Sequence, residues 1–575
     1  MSNPEITTIL RERQLFENQT FDKVINEVDF NFEGDLEFKN CVFEKPISID
    51  NFKTNGKLTF FNCKFSSYSV IKNSELDIIS ILGCEFSGSD KSTFSLLSNK
   101  CNILSLDGFK GNLLKINGKY LLSFINQCTF KKLLLKDINT EYSQSESRIE
   151  FKRNNEIENL NIESSNLFSD LIFDDGTYES IHFDGVFKNS IVFKGALKTK
   201  YLFFESSTLH KRLDIEDGFF TSINFYRSNF QGLIWINGYN LLDNTSLNLS
   251  IKELSLHECV FDKNITLNSS KINSLSLSNN NFKQLLNFNT YQKIDGNVNE
   301  NKINISISGI NQGSMFFENI NTNINLSGIN FGNINFKNIN IKHLTISDFQ
   351  NKGVVSFNNI KSGDLLIITD SIVGNLDFMG SDVTLFKEFV FSDSNLVGIN
   401  FSKHPFNILS YSSNPVIGYG IIDKSKWNTN LKNVYNQLKK NALLKGDIDT
   451  SMKYQSLEYK YLLKEKDFGF DKVLLFLNLI SNKNGLSWFR GILFTLITAY
   501  LFMLLYLKTI NIDFNFEESL KDYTFFISSF PKLEIQKYST IPNTWQSNLV
   551  IWISRIFVSY GIYQTIAAFR KYGKS

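Results

Sequence analysis

Between Leu36 and Phe86 the chain repeats one short pattern of apolar and polar positions. Leu36-Glu-Phe-Lys-Asn-Cys-Val-Phe43 is followed 22 residues later by Leu58-Thr-Phe-Phe-Asn-Cys-Lys-Phe65, and 21 residues after that by Ile79-Ser-Ile-Leu-Gly-Cys-Glu-Phe86. The pattern returns as Leu254-Ser-Leu-His-Glu-Cys-Val-Phe261 and, 21 residues on, Leu275-Ser-Leu-Ser-Asn-Asn-Asn-Phe282. Apolar and polar residues alternate within each copy, which is how a strand with one buried face reads. A unit this short cannot bury that face alone, so copies must stack on one another. The expected fold is therefore mainly β: a solenoid of on the order of 18 coils, given a repeat of about 21 residues. Cys41, Cys63 and Cys84 should stack as small core residues, beside a ladder of Phe43, Phe65 and Phe86.

Near residue 323 the period tightens to five. Asn323-Ile-Asn-Leu-Ser, Gly328-Ile-Asn-Phe-Gly, Asn333-Ile-Asn-Phe-Lys, Asn338-Ile-Asn-Ile-Lys and His343-Leu-Thr-Ile-Ser347 are successive pentads with centres at Leu326, Phe331, Phe336, Ile341 and Ile346. This stretch resembles the pentapeptide-repeat family, whose coils are four five-residue sides of a right-handed β-helix. The resemblance spans about residues 25 to 408 and is strongest over 323 to 347. It departs from the family two positions before each centre, where Ile324, Ile329, Ile334, Ile339 and Leu344 replace the small residue expected, so a wider core is implied. Open strand edges need covering, and the charged segment Pro4 to Asn18 is read as a helical cap within an N-terminal region of residues 1–24.

Strand-like alternation stops beyond Phe406. Leu431, Val434, Leu438 and Ala442 recur at helical spacing, Gly446-Asp447 interrupts, and Met452, Leu457, Tyr461 and Leu462 resume, which reads as a helical hairpin within a linker of residues 409–485. The hairpin segment Tyr435–Asp449 resembles the helical linker that joins a pentapeptide-repeat region to a two-helix membrane segment in channel-like bacterial proteins.

Residues 486–575 read as a two-helix transmembrane domain. No charge occurs from Gly491 to Leu507, and the stretch from about Leu549 to Phe569 is apolar apart from Arg555, Gln564 and some hydroxyls. Trp488, Trp545 and Trp552 fall near the boundaries, where indole rings prefer the interface. Lys464, Lys466, Lys472, Lys483 and Arg490 precede the first span and Arg570, Lys571 and Lys574 follow the second, which places both termini in the cytoplasm. The family resemblance implies a bacterial inner membrane as the location.

Arg555 carries the most information in this region. A guanidinium inside a span needs a carboxylate, backbone carbonyls or a water-filled cavity, and it shares a helix face with Ser559. The alternative is that Arg555, three residues past Trp552, snorkels to the outer headgroups. In the two-helix channels that the arrangement resembles, a pore helix and a glycine-containing carbonyl filter lie between the spans. The corresponding stretch Ser519–Pro531 can form a short helix but contains no glycine, so a potassium filter is not expected. Gly418-Tyr419-Gly420 precedes the hairpin and reads as a turn.

Composition narrows the function further. Sixty Lys and Arg against 58 Asp and Glu leave a formal charge of +2, neither the basic field of a nucleic-acid binder nor the acidity of a DNA mimic, so no nucleic acid is expected as partner. The 55 Phe and only 6 Pro argue for an ordered chain. Six cysteines without a C-x-x-C pair, and five scattered histidines (His182, His210, His257, His343 and His404), give no zinc, redox or catalytic pattern. The expectation is a non-enzymatic membrane protein with no cofactor, metal or catalytic residue. Its partners would be the lipid bilayer, other copies of itself through the spans, and a protein or small-molecule ligand on the β-helix. The alternative is a pore-forming or membrane-disrupting effector, or an ion channel without a potassium filter.

Overall fold

The computed structural model describes residues 14–25, 34–87, 93–139, 147–237, 239–240, 245–246, 249–268, 272–289, 302–361, 363–404, 424–512, 523–527 and 544–570. The chain forms two compact units: Met1–Ile367 with Asn375–Lys387 and Asn400–Lys403, and Ile368–Gly374 with Glu388–Ile399 and His404–Ser575.

The first unit is a right-handed parallel β-solenoid, and the whole repeat makes about 16 turns. In the coil that starts at Leu36 the chain turns inward in pairs: Leu36 and Phe38, Cys41 and Phe43, Ile47 and Ile49, Phe52 and Thr54 are all buried. The next coil begins at Leu58, in register with Leu36. The side between inward pairs is thus five or six residues, and the corners fix the choice of residue. Asn40 (φ 50°), Asn51 (φ 52°), Asn62 (φ 53°) and Asn73 (φ 51°) are left-handed, a conformation Asn tolerates better than most L-residues. Their amides also tie neighbouring coils, as where Asn40 Nδ2 donates to Asn18 Oδ1 at 3.1 Å.

Immediately after such a corner stands a small side chain with a proton to give. Cys41, Cys63 and Cys84 are buried free thiols stacked coil on coil, and each donates to the carbonyl of an aromatic residue in the preceding coil: Phe16 at 3.4 Å, Phe38 at 3.3 Å and Phe60 at 3.4 Å. Ser207 and Ser228 repeat the contact with Phe183 and Phe204 at 2.9 and 3.1 Å, and Asn280 Nδ2 does so with Leu256 at 2.8 Å. The stacking expected of the cysteines is present. Each buried thiol thereby finds a backbone acceptor inside the core.

Inside, phenylalanines stack with the strand spacing. Phe16, Phe38 and Phe60 lie 5.2 and 5.0 Å apart, and Phe317, Phe336, Phe357 and Phe378 lie 4.8, 4.9 and 4.9 Å apart. Phe43 stacks on Phe65 at 5.0 Å, whereas Phe86, in register with Phe65, turns its ring edge-on to Phe94. The coil count falls below 18 because some coils are long: Ile234 pairs with Ile265, 31 residues on, and Leu286 with Met315, 29 residues on.

The pentad reading holds at four centres and fails at one. Leu326, Phe336, Ile341 and Ile346 are buried, as are the large residues Ile324, Ile334, Ile339 and Leu344 two positions earlier, which gives the wide core implied by the sequence. Phe331 is 47% exposed, and Asn330 takes the inward place. Asn330 Nδ2 donates to Asn351 Oδ1 and to the Gly332 carbonyl, both at 2.9 Å, so a corner amide displaces the phenyl ring by one residue and therefore to the other face. Lys352 then covers the outer ring face at 4.9 Å.

Of the expected N-terminal cap, residues 1–13 lie outside the described residues. Leu15–Glu17 is already strand, paired with Glu37–Lys39, so a helix through Asn18 is ruled out where the chain is described. Gly418-Tyr419-Gly420 also lies outside.

The second unit contains five long helices among its described residues: α1 (Lys424–Leu444), α2 (Ile448–Glu465), α3 (Phe470–Asn482), α4 (Trp488–Thr509) and α5 (Trp545–Arg570). The hairpin expected from periodicity is α1 and α2. Leu431, Val434, Leu438, Ala442 and Met452 are buried, and Asp447 caps α2 by accepting from the Thr450 amide at 3.0 Å. Lys432 with Glu465 and Lys439 with Glu458, both 2.7 Å, lock the pair laterally. On its other side α1 grips the 388–399 segment of the same unit: Gln437 Nε2 donates to the Ser394 carbonyl at 2.8 Å, and Lys445 Nζ to that of Ile399 at 2.8 Å. Helix α3 has no counterpart in the sequence reading.

Candidate functional site

Helices α4 and α5 are long and apolar enough to cross a membrane by length and composition. They meet through two reciprocal notches. A Cβ on Gly491 would stand 2.4 Å from Thr565 Oγ1, and one on Gly561 2.4 Å from Thr495 Oγ1. Each threonine gives its own proton to the glycine one turn earlier on its helix, Thr495 to Gly491 and Thr565 to Gly561, both at 2.9 Å. The two G-x-x-x-T runs let antiparallel backbones approach closely, the packing mode that serves helices lacking a hydrophobic drive between them. At the same end Trp488 stacks on Phe569 at 5.0 Å.

Residues 523–527 form a helical turn packed on this pair. Phe526 is buried in one cluster with Ala499, Met503, Tyr506, Ile551 and Val558. Tyr523 Oη donates to the Leu496 carbonyl at 2.6 Å. Arg555 Nη1 donates to the Phe525 carbonyl at 2.9 Å, with the guanidinium carbon 4.5 Å from the centre of the Phe525 ring. Arg555 lies ten residues into α5, about 15 Å along the axis. It therefore sits far from the helix end, and a backbone carbonyl is among its partners. The stretch expected to hold a short helix between the apolar segments has one, although only 523–527 of it are described.

A second polar cluster joins α3 to α5. Asn478 Oδ1 accepts from Tyr560 Oη at 2.6 Å and from Gln564 Nε2 at 2.8 Å, and Asn482 Nδ2 donates to Gln564 Oε1. Asn478 and Asn482 are one turn apart, as are Tyr560 and Gln564, so two facing pairs close on each other.

The residues singled out from sequence thus have different surroundings. Gln564 is buried in the α3–α5 cluster, Arg555 is half-buried against 523–527, and Trp488 packs on Phe569. Ser559 is exposed and does not join Arg555, while Trp545 and Trp552 are exposed on the outside of α5. Sequence reasoning missed Asn478, Asn482, Gly491, Thr495, Gly561 and Thr565. The i, i+4 spacing of the glycines and threonines was the available signal.

The solenoid carries a groove of about 780 Å³ on its outer side. Lys110, Lys131, Lys198 and Lys200 line it together with Glu85, Glu156, Glu158 and Glu179, and Phe86, Phe130 and Tyr178 contribute apolar surface. Gly111 falls in the register column between Phe86 and Phe130, where an added Cβ would stand 3.1 Å from the Phe86 Cβ. The mixed signs suit a neutral or zwitterionic polar ligand better than a highly charged one. Burial pushes the thiols of Cys101, Cys128 and Cys259 up to about 12, which keeps them protonated. Among the described residues no group of three or more His, Cys, Asp or Glu is placed to hold a metal ion.

Comparisons with protein families, curated proteins and solved structures found nothing that matches this chain.

Proposed function

We propose that this chain is a non-enzymatic integral membrane protein. A cytoplasmic β-solenoid of the pentapeptide-repeat type binds or senses a ligand and is coupled to an oligomeric two-helix membrane domain in a bacterial inner membrane. The observation that carries the membrane part is the exposure of α4 and α5. Only a third of the residues in each apolar window are buried, and Ile497, Leu501, Leu505, Ile556 and Ile566 point outward. A core helix of a soluble protein is covered by protein, and these are not. Inward pairs at five- and six-residue steps support the repeat type, and the 780 Å³ groove offers the ligand a place. Further copies of the chain would cover part of the outward faces of the two spans.

Alkaline extraction of membranes from an expressing bacterium tests this directly. The full chain should stay in the pellet, and the chain lacking residues 486–575 should leave it. Release of the full chain at high pH refutes the reading.

A second reading is favoured by one feature: the turn at 523–527, which comes between α4 and α5 in the chain, is held against them by Tyr523, Phe526 and Arg555. On that reading the membrane domain conducts or perforates, as an effector or as a channel without potassium selectivity. Ion flux from liposomes carrying the purified chain decides it, since a passive coupling protein leaks nothing.

A further inference from the structure

Helix α3 is amphipathic in the inverted sense. Polar side chains of its C-terminal half meet protein: Ser481 and Asn482 are buried, and Asn478 and Asn482 bond to Tyr560 and Gln564 of α5. Much of its apolar surface is open: Phe470 is 91% exposed, Phe468 just before it 92%, and Val473, Leu474, Phe476 and Ile480 are exposed as well, while Leu475, Leu477 and Leu479 are half-buried. A surface helix surrounded by water shows the reverse order, with the apolar stripe on protein and the polar face in solvent. An exposed apolar surface of this kind is what a helix lying against hydrocarbon presents.

Two further observations narrow the partner. Residues 483–487 connect α3 directly to α4, whose outward side chains are read above as lipid-facing. Cations border it. Lys466, Lys483 and Arg490 are exposed and Lys472 is half-buried, against the acids Asp467 and Asp471, of which Asp471 meets Lys466 at 3.4 Å. The surplus is positive, and it lies where helices of this kind place their basic residues relative to lipid headgroups.

We propose that α3 is an interfacial anchor lying in the plane of the bilayer, its Phe470–Ile480 face in the acyl boundary of the cytoplasmic leaflet and its flanking lysines on anionic phospholipid headgroups. The Asn478–Tyr560–Gln564–Asn482 cluster fastens this anchor to α5, so a shift of α3 at the membrane surface is transmitted to the second span. The inference rests on the membrane reading above and adds a binding surface for a defined lipid class.

The test uses the full chain in phosphatidylcholine vesicles with and without phosphatidylglycerol. Phe476→Cys and Leu474→Cys are labelled with an environment-sensitive fluorophore, the six native thiols being buried. Asp449→Cys, on the exposed start of α2, serves as the aqueous control. Labels at 474 and 476 should be quenched by lipids carrying a shallow nitroxide and shielded from iodide, while the label at 449 stays open to iodide. Lys466→Gln and Lys472→Gln should weaken the preference for phosphatidylglycerol by about fivefold each. Iodide access at 474 and 476 overturns the proposal. So do shielding without nitroxide quenching together with cross-links between copies, which would show protein covering the face, and equal quenching in both vesicle types, which would remove the anionic lipid. Alkaline extraction of the same vesicles separates the two levels: a chain that stays membrane-bound while 476 is open to iodide fails only here, and a chain that washes off fails the membrane reading itself.

Discussion

Replacing Arg555 with leucine separates two effects that a bulk stability measurement would cancel. The guanidinium gives a charged hydrogen bond to the Phe525 carbonyl, about 1.5–3 kcal/mol, and lies over the Phe525 ring, about 0.5–2 kcal/mol. Against this, a guanidinium at the centre of a span costs about 2.5–3.5 kcal/mol on insertion scales. The totals nearly offset, but they belong to different parts of the molecule. The gain on substitution goes to insertion of α5, and the loss falls on residues 523–527. Arg555→Leu should therefore leave membrane retention and the midpoint of thermal unfolding close to those of the parent. It should raise amide exchange at 523–527 by roughly 30-fold or more, as follows from losing about 2–5 kcal/mol of local protection. Hydrogen exchange read by mass spectrometry in lipid nanodiscs measures both quantities at once. Tyr523→Phe, which removes the bond to Leu496, should act on the same peptide by about 0.5–1.5 kcal/mol, and the double variant should be less than additive because either loss frees the turn. Unchanged exchange at 523–527 in Arg555→Leu, or collapse of the entire membrane domain, would refute the assignment of Arg555 to this carbonyl.

The native chain should take up no maleimide at pH 8 and six equivalents once unfolded, since all six cysteines are buried; stoichiometric labelling of the folded protein contradicts the corner role given to them. Phe357→Ala removes a ring stacked on both sides and should cost about 3–5 kcal/mol, with new proteolytic cleavage confined to the adjoining coils, because each coil leans only on its neighbours. Gly491→Leu would force α4 from α5 at the Thr565 notch, for about 1–3 kcal/mol, detectable as a lower melting temperature in detergent; an unaffected midpoint means the close crossing is not there. His404 is held below the ordinary imidazole value, chiefly by burial, and its Nδ1 lies 3.0 Å from Tyr454 Oη. A lowered folded pKa means that the unfolded chain takes the proton first, so stability is full above about pH 6.5 and is lost as pH falls from there towards the folded value. The melting midpoint should drop between pH 7.5 and 5.5, and His404→Gln should reduce the drop; an identical drop in both proteins removes His404 as its source.

The sequence made the solenoid legible because its period is set by stacking. Residues one coil apart touch, so Phe38 and Phe60, or Cys41 and Cys63, must be alike in size, and this likeness is visible at 21 to 22 residues even without a structure. The five-residue phase misled at Phe331 because a corner asparagine and a phenylalanine compete for one inward place. The amide wins there by bonding across the coils to Asn351, a partner 21 residues away. Arg555 kept two readings, a partner within the helix pair or the headgroups, because of an end effect. Gln546, Ser547 and Asn548 hide the first turn of α5, so Trp552 looked like a boundary and the arginine like a residue able to reach the headgroups from it. The helix starts at Trp545, so the same side chain lies about 15 Å along it, where the Phe525 carbonyl is among its partners.

Helix α3 escaped for a reason of a different kind. Periodicity methods look for an apolar stripe and assign it to the protein interior, and in Phe470–Asn482 the stripe exists but points the other way. Nothing in thirteen residues of sequence tells which medium each face will meet. That is decided by Tyr560 and Gln564, more than seventy residues later, which offer hydrogen bonds to Asn478 and Asn482 and so turn the polar side towards protein. If those bonds set the orientation, Gln564→Leu should release α3 from α5 without dislodging the helix from a bilayer, because the apolar face holds it there. Asn478 and Asn482 would then become open to water-borne reagents while Phe476 stays shielded. The opposite result, with Phe476 exposed and the asparagines still protected, would mean that the cluster holds α3 and lipid does not.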